Sequence, residues 1–155
     1  MKGFRFWIFL LLSSLMGISC SDNLTFDEQA ALDQQLIEQY AADNNLSGYF
    51  TANGVYIVMQ DEGVGDETPG FGSAIEIIYT GTLLDGTEFD SSNGFPTVLN
   101  VSRLIRGWQE GLAEFKRESA GIMLIPSAMG YGPRGQGEIP PNAVLRFDIE
   151  LLNFN

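Results

Sequence analysis

Three stretches of this chain place large aromatic side chains, glycines and polar groups together at turns, where packing alone rarely needs all three. The first runs Tyr79-Thr80-Gly81-Thr82-Leu83-Leu84-Asp85-Gly86-Thr87-Glu88-Phe89-Asp90-Ser91-Ser92, and the second Leu104-Ile105-Arg106-Gly107-Trp108-Gln109-Glu110-Gly111-Leu112. The third is Tyr131-Gly132, followed by Ile139-Pro140-Pro141-Asn142-Ala143. The chemistry open to them is bounded by what the chain lacks. It contains no histidine, which excludes Ser-His and Cys-His catalysis and any imidazole metal site. Its one cysteine, Cys20, allows neither an internal disulfide nor a thiolate cluster. Asp85-Gly86 opens no calcium loop, because Pro96 stands where such a loop needs a bidentate Glu. The expected chemistry uses no cofactor, no metal and no covalent intermediate.

These stretches need a scaffold, and the hydrophobic period supplies one. Val55 to Met59 reads as a strand, and Asp61 to Gly72 as a polar, Gly-rich connection. Ile75 to Tyr79 is a second strand, and Leu84-Asp85-Gly86-Thr87 is an Asp-Gly turn joining antiparallel neighbours. Gly121 to Ile125 is a short apolar strand stopped by Pro126. From Val144 to Leu152, Leu145, Phe147, Ile149 and Leu151 face one side, and Arg146, Asp148 and Glu150 the other. Between Ser102 and Phe115, Leu104, Ile105, Trp108 and Leu112 mark one helix, with Ser102 as its N-cap. The pattern predicts an α+β domain over residues 51–155: about five antiparallel strands curled over one short helix.

Upstream of that domain, Phe26 to Asn45 has apolar residues near helical spacing among Asp, Glu and Gln. It predicts an N-terminal helical extension within residues 20–50, packed on the domain or acting as a spacer. Residues 1–19 read as an export signal, with Lys2 and Arg5 ahead of the apolar run Phe6 to Leu12. Leu15-Met16-Gly17-Ile18-Ser19-Cys20 resembles a bacterial lipoprotein cleavage box, which would make Cys20 the acylated first residue. Several acyl chains there would hold the protein durably on a bilayer, whereas a single chain binds marginally. The expected location is the cell envelope of a bacterium, on the outer membrane facing the periplasm.

Composition agrees with a folded, acidic protein. Hydrophobic residues make up 45% and charged residues 18% of 155, enough for one core and an appendage but not for two domains. The net charge is -12, and without Lys2 and Arg5 the chain carries 20 acids against 6 bases. Such a surface repels nucleic acid and anionic headgroups.

Taken in order, the three aromatic stretches closely resemble the FKBP-type peptidyl-prolyl cis/trans isomerases, from about Gly54 to Leu152. The resemblance implies a pocket that binds proline-containing polypeptides. Trp108 would be its floor, and Tyr79, Phe89, Phe95 and Phe147 its walls. Leu104 and Ile105 would form the rim, the Ile105 N–H meeting a ligand carbonyl, with Ile139 completing the substrate-binding set. Asp90 would be a buried acid and Tyr131 the hydroxyl that bonds the peptide; Asp90, Tyr131 and Tyr79 are the catalytic candidates. Macrolides are a second ligand class that the resemblance allows, although Thr97 stands where many members carry another aromatic. A monomer is expected. The competing reading keeps the fold and drops catalysis, leaving a proline-peptide-binding component of an envelope or motility complex.

Overall fold

The computed structural model describes residues 24–155. The export signal expected over residues 1–19 and the acylation expected at Cys20 lie outside the described residues. The chain opens with α1 (Phe26–Asp43), started by a reciprocal cap. The Glu28 N–H donates to Thr25 Oγ1 at 3.3 Å, and the Thr25 N–H donates to Glu28 Oε2 at 2.9 Å. α1 is followed by β1 (Tyr49–Phe50), β2 (Tyr56–Asp61), β3 (Ala74–Leu83), β4 (Glu88–Ser91) and β5 (Thr97–Asn100). Then come α2 (Arg106–Gly111), β6 (Ser119–Ile125) and β7 (Leu145–Phe154). All the strand pairs are antiparallel and form one sheet in the order β1-β2-β6-β7-β3-β4, with β5 also paired to β3.

The sheet has seven strands rather than about five. The two additions are β1, of two residues, and β5, of four, both too short to display a period. Alternation along the strands sorts their side chains onto two faces. Ile57, Met123, Ile125, Leu145, Phe147, Ile149 and Leu151 join Trp108 and Leu112 of the α2 segment in the larger cluster. Val58, Ile122 and Leu124 meet Ile37 of α1 on the other face. The N-terminal helix is therefore packed on the domain and is not a free spacer.

The helix expected from Ser102 to Phe115 is broken, and Ser102 is not its N-cap. Asn100 is the capping residue: its Oδ1 accepts from the Ser102 N–H at 3.1 Å and starts a 3₁₀ turn, Val101–Arg103. Leu104 and Ile105 then run extended, and α2 starts at Arg106. α2 lies close against β6. A Cβ on Gly107 would stand 2.2 Å from Ile125 Cγ2, and one on Gly111 2.2 Å from Met123 Sδ. The glycines of the second aromatic stretch thus let the helix approach the sheet and seat Trp108 in its core.

Candidate active site

The site forms around a gap in the pairing of β3. One edge of β3 pairs with β7 from Ile75 to Leu83. The other is divided, β5 taking Ala74 to Ile77 and β4 taking Thr80 to Thr82. At the division Ser92 stands in for a partner strand. Its N–H donates to the Tyr79 carbonyl at 3.0 Å, and its Oγ accepts from the Tyr79 N–H at 3.1 Å.

A cleft of about 240 Å³ opens beside this gap. Tyr79 from β3, Trp108 from α2 and Phe147 from β7 form its aromatic side, joined by Asp90 of β4, Leu99 of β5, the Arg103-Leu104-Ile105 segment and Tyr131. The rings lock one another edge to face: Trp108 to Phe147 at 5.0 Å and 86°, and Tyr79 to Trp108 at 5.2 Å and 88°. Phe89 lies behind Phe147, at 5.5 Å and 87°, and supports the wall without lining the cleft. Trp108 is 3% exposed and belongs to the core as well as to the cleft.

The polar groups divide into paired and unpaired. Tyr79 Oη donates to Asp90 Oδ2 at 3.0 Å. Burial pushes the Tyr79 phenol up to about 12, and the Asp90 carboxylate adds to the shift. Tyr131 is raised as well, by burial first and by Asp90 second. Both phenols hold their protons at neutral pH and can donate. Among the described residues, the Tyr131 hydroxyl and the Ile105 N–H have no hydrogen-bond partner, and both residues line the cleft. The Tyr79 proton is committed to Asp90, so the two free donors, the Tyr131 hydroxyl and the Ile105 N–H, give a ligand carbonyl somewhere to bind.

The sequence-derived set is not brought together in full. Tyr79, Asp90, Leu104, Ile105, Trp108, Tyr131 and Phe147 meet at the cleft. Asp90 is exposed rather than buried, because β4 is an edge strand and leaves it open to solvent beside its Tyr79 partner. Phe95 is not in the wall. It is 72% exposed, carried outward by the tight turn Ser92–Phe95, in which Asn93 and Gly94 have positive φ. Ile139 packs in the core cluster rather than in the cleft lining. Leu99 and Arg103 line the cleft and were missed. Leu99 sits in a four-residue strand after Pro96, and Arg103 reads in sequence as an ordinary surface charge, though its place just before Leu104-Ile105 was a signal.

Larger grooves, of about 510 and 400 Å³, flank the start of α1. Neither holds a nest of interlocked rings with free donors, which makes the smaller cleft the candidate site.

Residues 65–152 match the family described as FKBP-type peptidyl-prolyl cis-trans isomerase. The FK506-binding protein 1 of Yarrowia lipolytica is 42% identical over 107 residues, which are 66% of this chain and 99% of that protein. The FkpA of Aeromonas hydrophila is 38% identical over 130 residues, 81% of this chain and 48% of that one. The crystal structure of FkpA from Escherichia coli superposes with a TM-score of 0.71 at 32% identity, over 83% of this chain and 62% of that one. The chain thus spans less than half the length of the Aeromonas FkpA and nearly all of the Yarrowia protein. With more than half of its residues inside the family match and all three aromatic stretches within it, the chain belongs to the FKBP-type peptidyl-prolyl cis-trans isomerases.

Proposed function

We propose that this protein is a peptidyl-prolyl cis/trans isomerase that assists the folding of exported proteins while held at a bacterial cell envelope by lipid on Cys20. The carrying observation is the pairing of a rigid ring wall with two free donors, the Tyr131 hydroxyl and the Ile105 N–H, at one small cleft.

That arrangement suits amide rotation. The X–Pro barrier, roughly 18–20 kcal/mol, is the loss of amide resonance. Water favours the planar amide, whose charge separation is larger than that of the twisted one. Rings that exclude water remove that preference, while Trp108 and Phe147 hold the prolyl ring and the carbonyl swings. The Ile105 N–H and the Tyr131 hydroxyl fix the peptide on either side. No nucleophile or proton transfer is required. Uncatalysed rotation takes roughly 10–100 s, and a 10⁴-fold acceleration needs only about 5.5 kcal/mol of differential stabilisation. Desolvation and two hydrogen bonds are of that order.

The cleft is smaller than the roughly 300–1,000 Å³ usual for drug-sized ligands, which favours a prolyl segment over a whole macrolide as its occupant. Macrolide binding would have to use the rim as well. The polypeptide layout that fits is a signal at residues 1–19, an anchored tether and helix at 20–50, and the isomerase domain at 51–155. Ile37 and Tyr40 of α1 pack on its own sheet, and the working unit of this layout is a monomer on the outer membrane facing the periplasm.

The test is a protease-free isomerisation assay on residues 21–155, using a short peptide with an apolar residue before proline. Catalysis unaffected by chelator is expected. A rate equal to the uncatalysed one at micromolar protein would favour the non-catalytic binding component instead.

A further inference from the structure

Among the described residues one acid is buried, and it belongs to α1 rather than to the cleft. Asp33 is 0% exposed, and no cation pairs with it. Three donors satisfy its carboxylate. The Ser127 N–H reaches Oδ2 at 2.7 Å, the Ser127 hydroxyl reaches the same oxygen at 2.6 Å, and Gln29 Nε2 reaches Oδ1 at 2.7 Å. A buried carboxylate is a poor source of stability, since desolvation offsets much of what its hydrogen bonds return. Ile37 and Ala41 already hold α1 to the domain by apolar burial. The role of Asp33 must lie in what it grips.

It grips the root of the loop that carries Tyr131. Pro126 precedes the 3₁₀ turn Ser127–Met129 and has no side chain able to cap it. Asp33 supplies that cap from 94 residues away. The turn it starts is closed by Met129 N–H donating to the Pro126 carbonyl at 2.9 Å and Gly130 N–H to the Ser127 carbonyl at 3.0 Å. Met129 is buried in the larger core cluster, and two residues later Tyr131 faces the cleft. The Tyr131 hydroxyl has no partner among the described residues, so its position depends on its backbone.

We propose that Asp33 is a positioning residue for the isomerase site: through Ser127 it fixes the loop root from which Tyr131 presents its hydroxyl to the bound peptide. The inference rests on reading the Tyr79–Tyr131 cleft as the proline site. It makes α1 part of the working enzyme and not only its tether.

The experiment is a double-substitution cycle in the full chain, solubilised in detergent. Tyr131→Phe and Asp33→Ala should each lower kcat/KM by about two- to tenfold, the worth of a hydrogen bond or two. The double variant should be no worse than Tyr131→Phe alone, because a hydroxyl already removed cannot be mispositioned. Losses that multiply would overturn the proposal. Asp33→Asn guards against an Asp33→Ala chain that does not fold, since the amide keeps one oxygen for the Ser127 N–H; an intermediate loss is expected. Hydrogen exchange gives the arm that does not depend on activity. In Asp33→Ala the Met129 and Gly130 amides should exchange faster, and in Asp33→Asn by a smaller factor, while the β7 amides keep their protection. Unchanged exchange at Met129 and Gly130 refutes the link from Asp33 to the loop. A wild-type chain that catalyses nothing refutes the reading of the cleft, and the exchange result still decides whether Asp33 holds the loop.

Discussion

Substitution of one glycine should test whether the ring wall sets the geometry of the site. Gly81 lies in β3 opposite Asp90 of β4 and Phe147 of β7. A Cβ there would stand 2.7 Å from Phe147 Cε1 and 2.8 and 2.9 Å from Phe89 Cε2 and Cζ. Ordinary contact begins near 3.4 Å, so both rings must retreat by half an ångström or more. Phe147 has nowhere free to go, with Trp108 at 5.0 Å and Tyr79 at 6.5 Å. Overpacking of this kind costs about 1–3 kcal/mol, and replacing glycine in extended backbone returns about 0.4–1 kcal/mol through the unfolded chain. The net destabilisation of Gly81→Ala is then about 0–2.5 kcal/mol, a fall in Tm of up to roughly 10 °C for a domain of this size. Stability is therefore the weaker readout. Tryptophan emission and kcat/KM are stronger, because the displaced rings touch the cleft directly. In residues 21–155 Trp108 is the only indole, so its emission should shift and kcat/KM should fall by more than the unfolded fraction explains. Gly72→Ala is the control, since a Cβ there meets nothing within 4 Å. If Gly81→Ala leaves emission and kcat/KM at wild-type values, the rings are loose, and the argument from a rigid wall is wrong.

Three further outcomes are expected. A proline-mimicking ligand should change Trp108 emission saturably over the concentrations at which it inhibits; inhibition with flat emission would place Trp108 in the core alone. The phenols of Tyr79 and Tyr131 lie above their ordinary value, and that of Tyr49 is pushed up to about 12 by burial and its bond to Glu114, so kcat/KM should show no tyrosine ionisation between pH 6 and 9. Because Tyr49 and Tyr79 titrate later folded than unfolded, their contribution is complete below about pH 10 and is lost as pH climbs through about 12; absorbance at alkaline pH should show tyrosines that ionise only there. Cys20→Ser should release the protein from bacterial membranes or block its processing, and a mature chain starting at an unmodified Cys20 would rule out the anchor.

What the sequence made readable was local. The Asp85-Gly86 turn, the alternation from Leu145 to Leu151 and the Gly107-Trp108 spacing each encode their geometry within a few residues, and each element formed. What it hid depended on partners far along the chain. β5 is four residues with one inward leucine, and it exists because β3 offers it an edge. The break at Leu104-Ile105 follows from Asn100 capping the turn before it. Nothing in the sequence separates Asp33 from the other acids of α1, since its partner Ser127 lies 94 residues away. Asp90 and Phe95 were placed by resemblance, and the edge position of β4 and the turn after it decided their exposure.

The position of the cleft follows from a mismatch of lengths. β3 and β7, each of ten residues, extend about 33 Å. α2 and the 3₁₀ turn Leu112–Glu114 that continues it have nine residues, about 15 Å of helix. The helix can cover only about half of the face it packs on. The remainder cannot be left as open aliphatic surface, and it cannot be closed without removing the site. Interlocked aromatic rings resolve this, because each has only two side-chain torsions and is held edge to face by its neighbours. Trp108 is central because it belongs to both halves: its helix covers one and its ring meets Tyr79 and Phe147 in the other. The same constraint explains why the free donors come from backbone and loop rather than from the sheet. The β3 and β7 amides are committed to the ladder, so a peptide carbonyl can be met only where regular structure stops, at Ile105 before α2 and at Tyr131 beyond the turn that Asp33 caps.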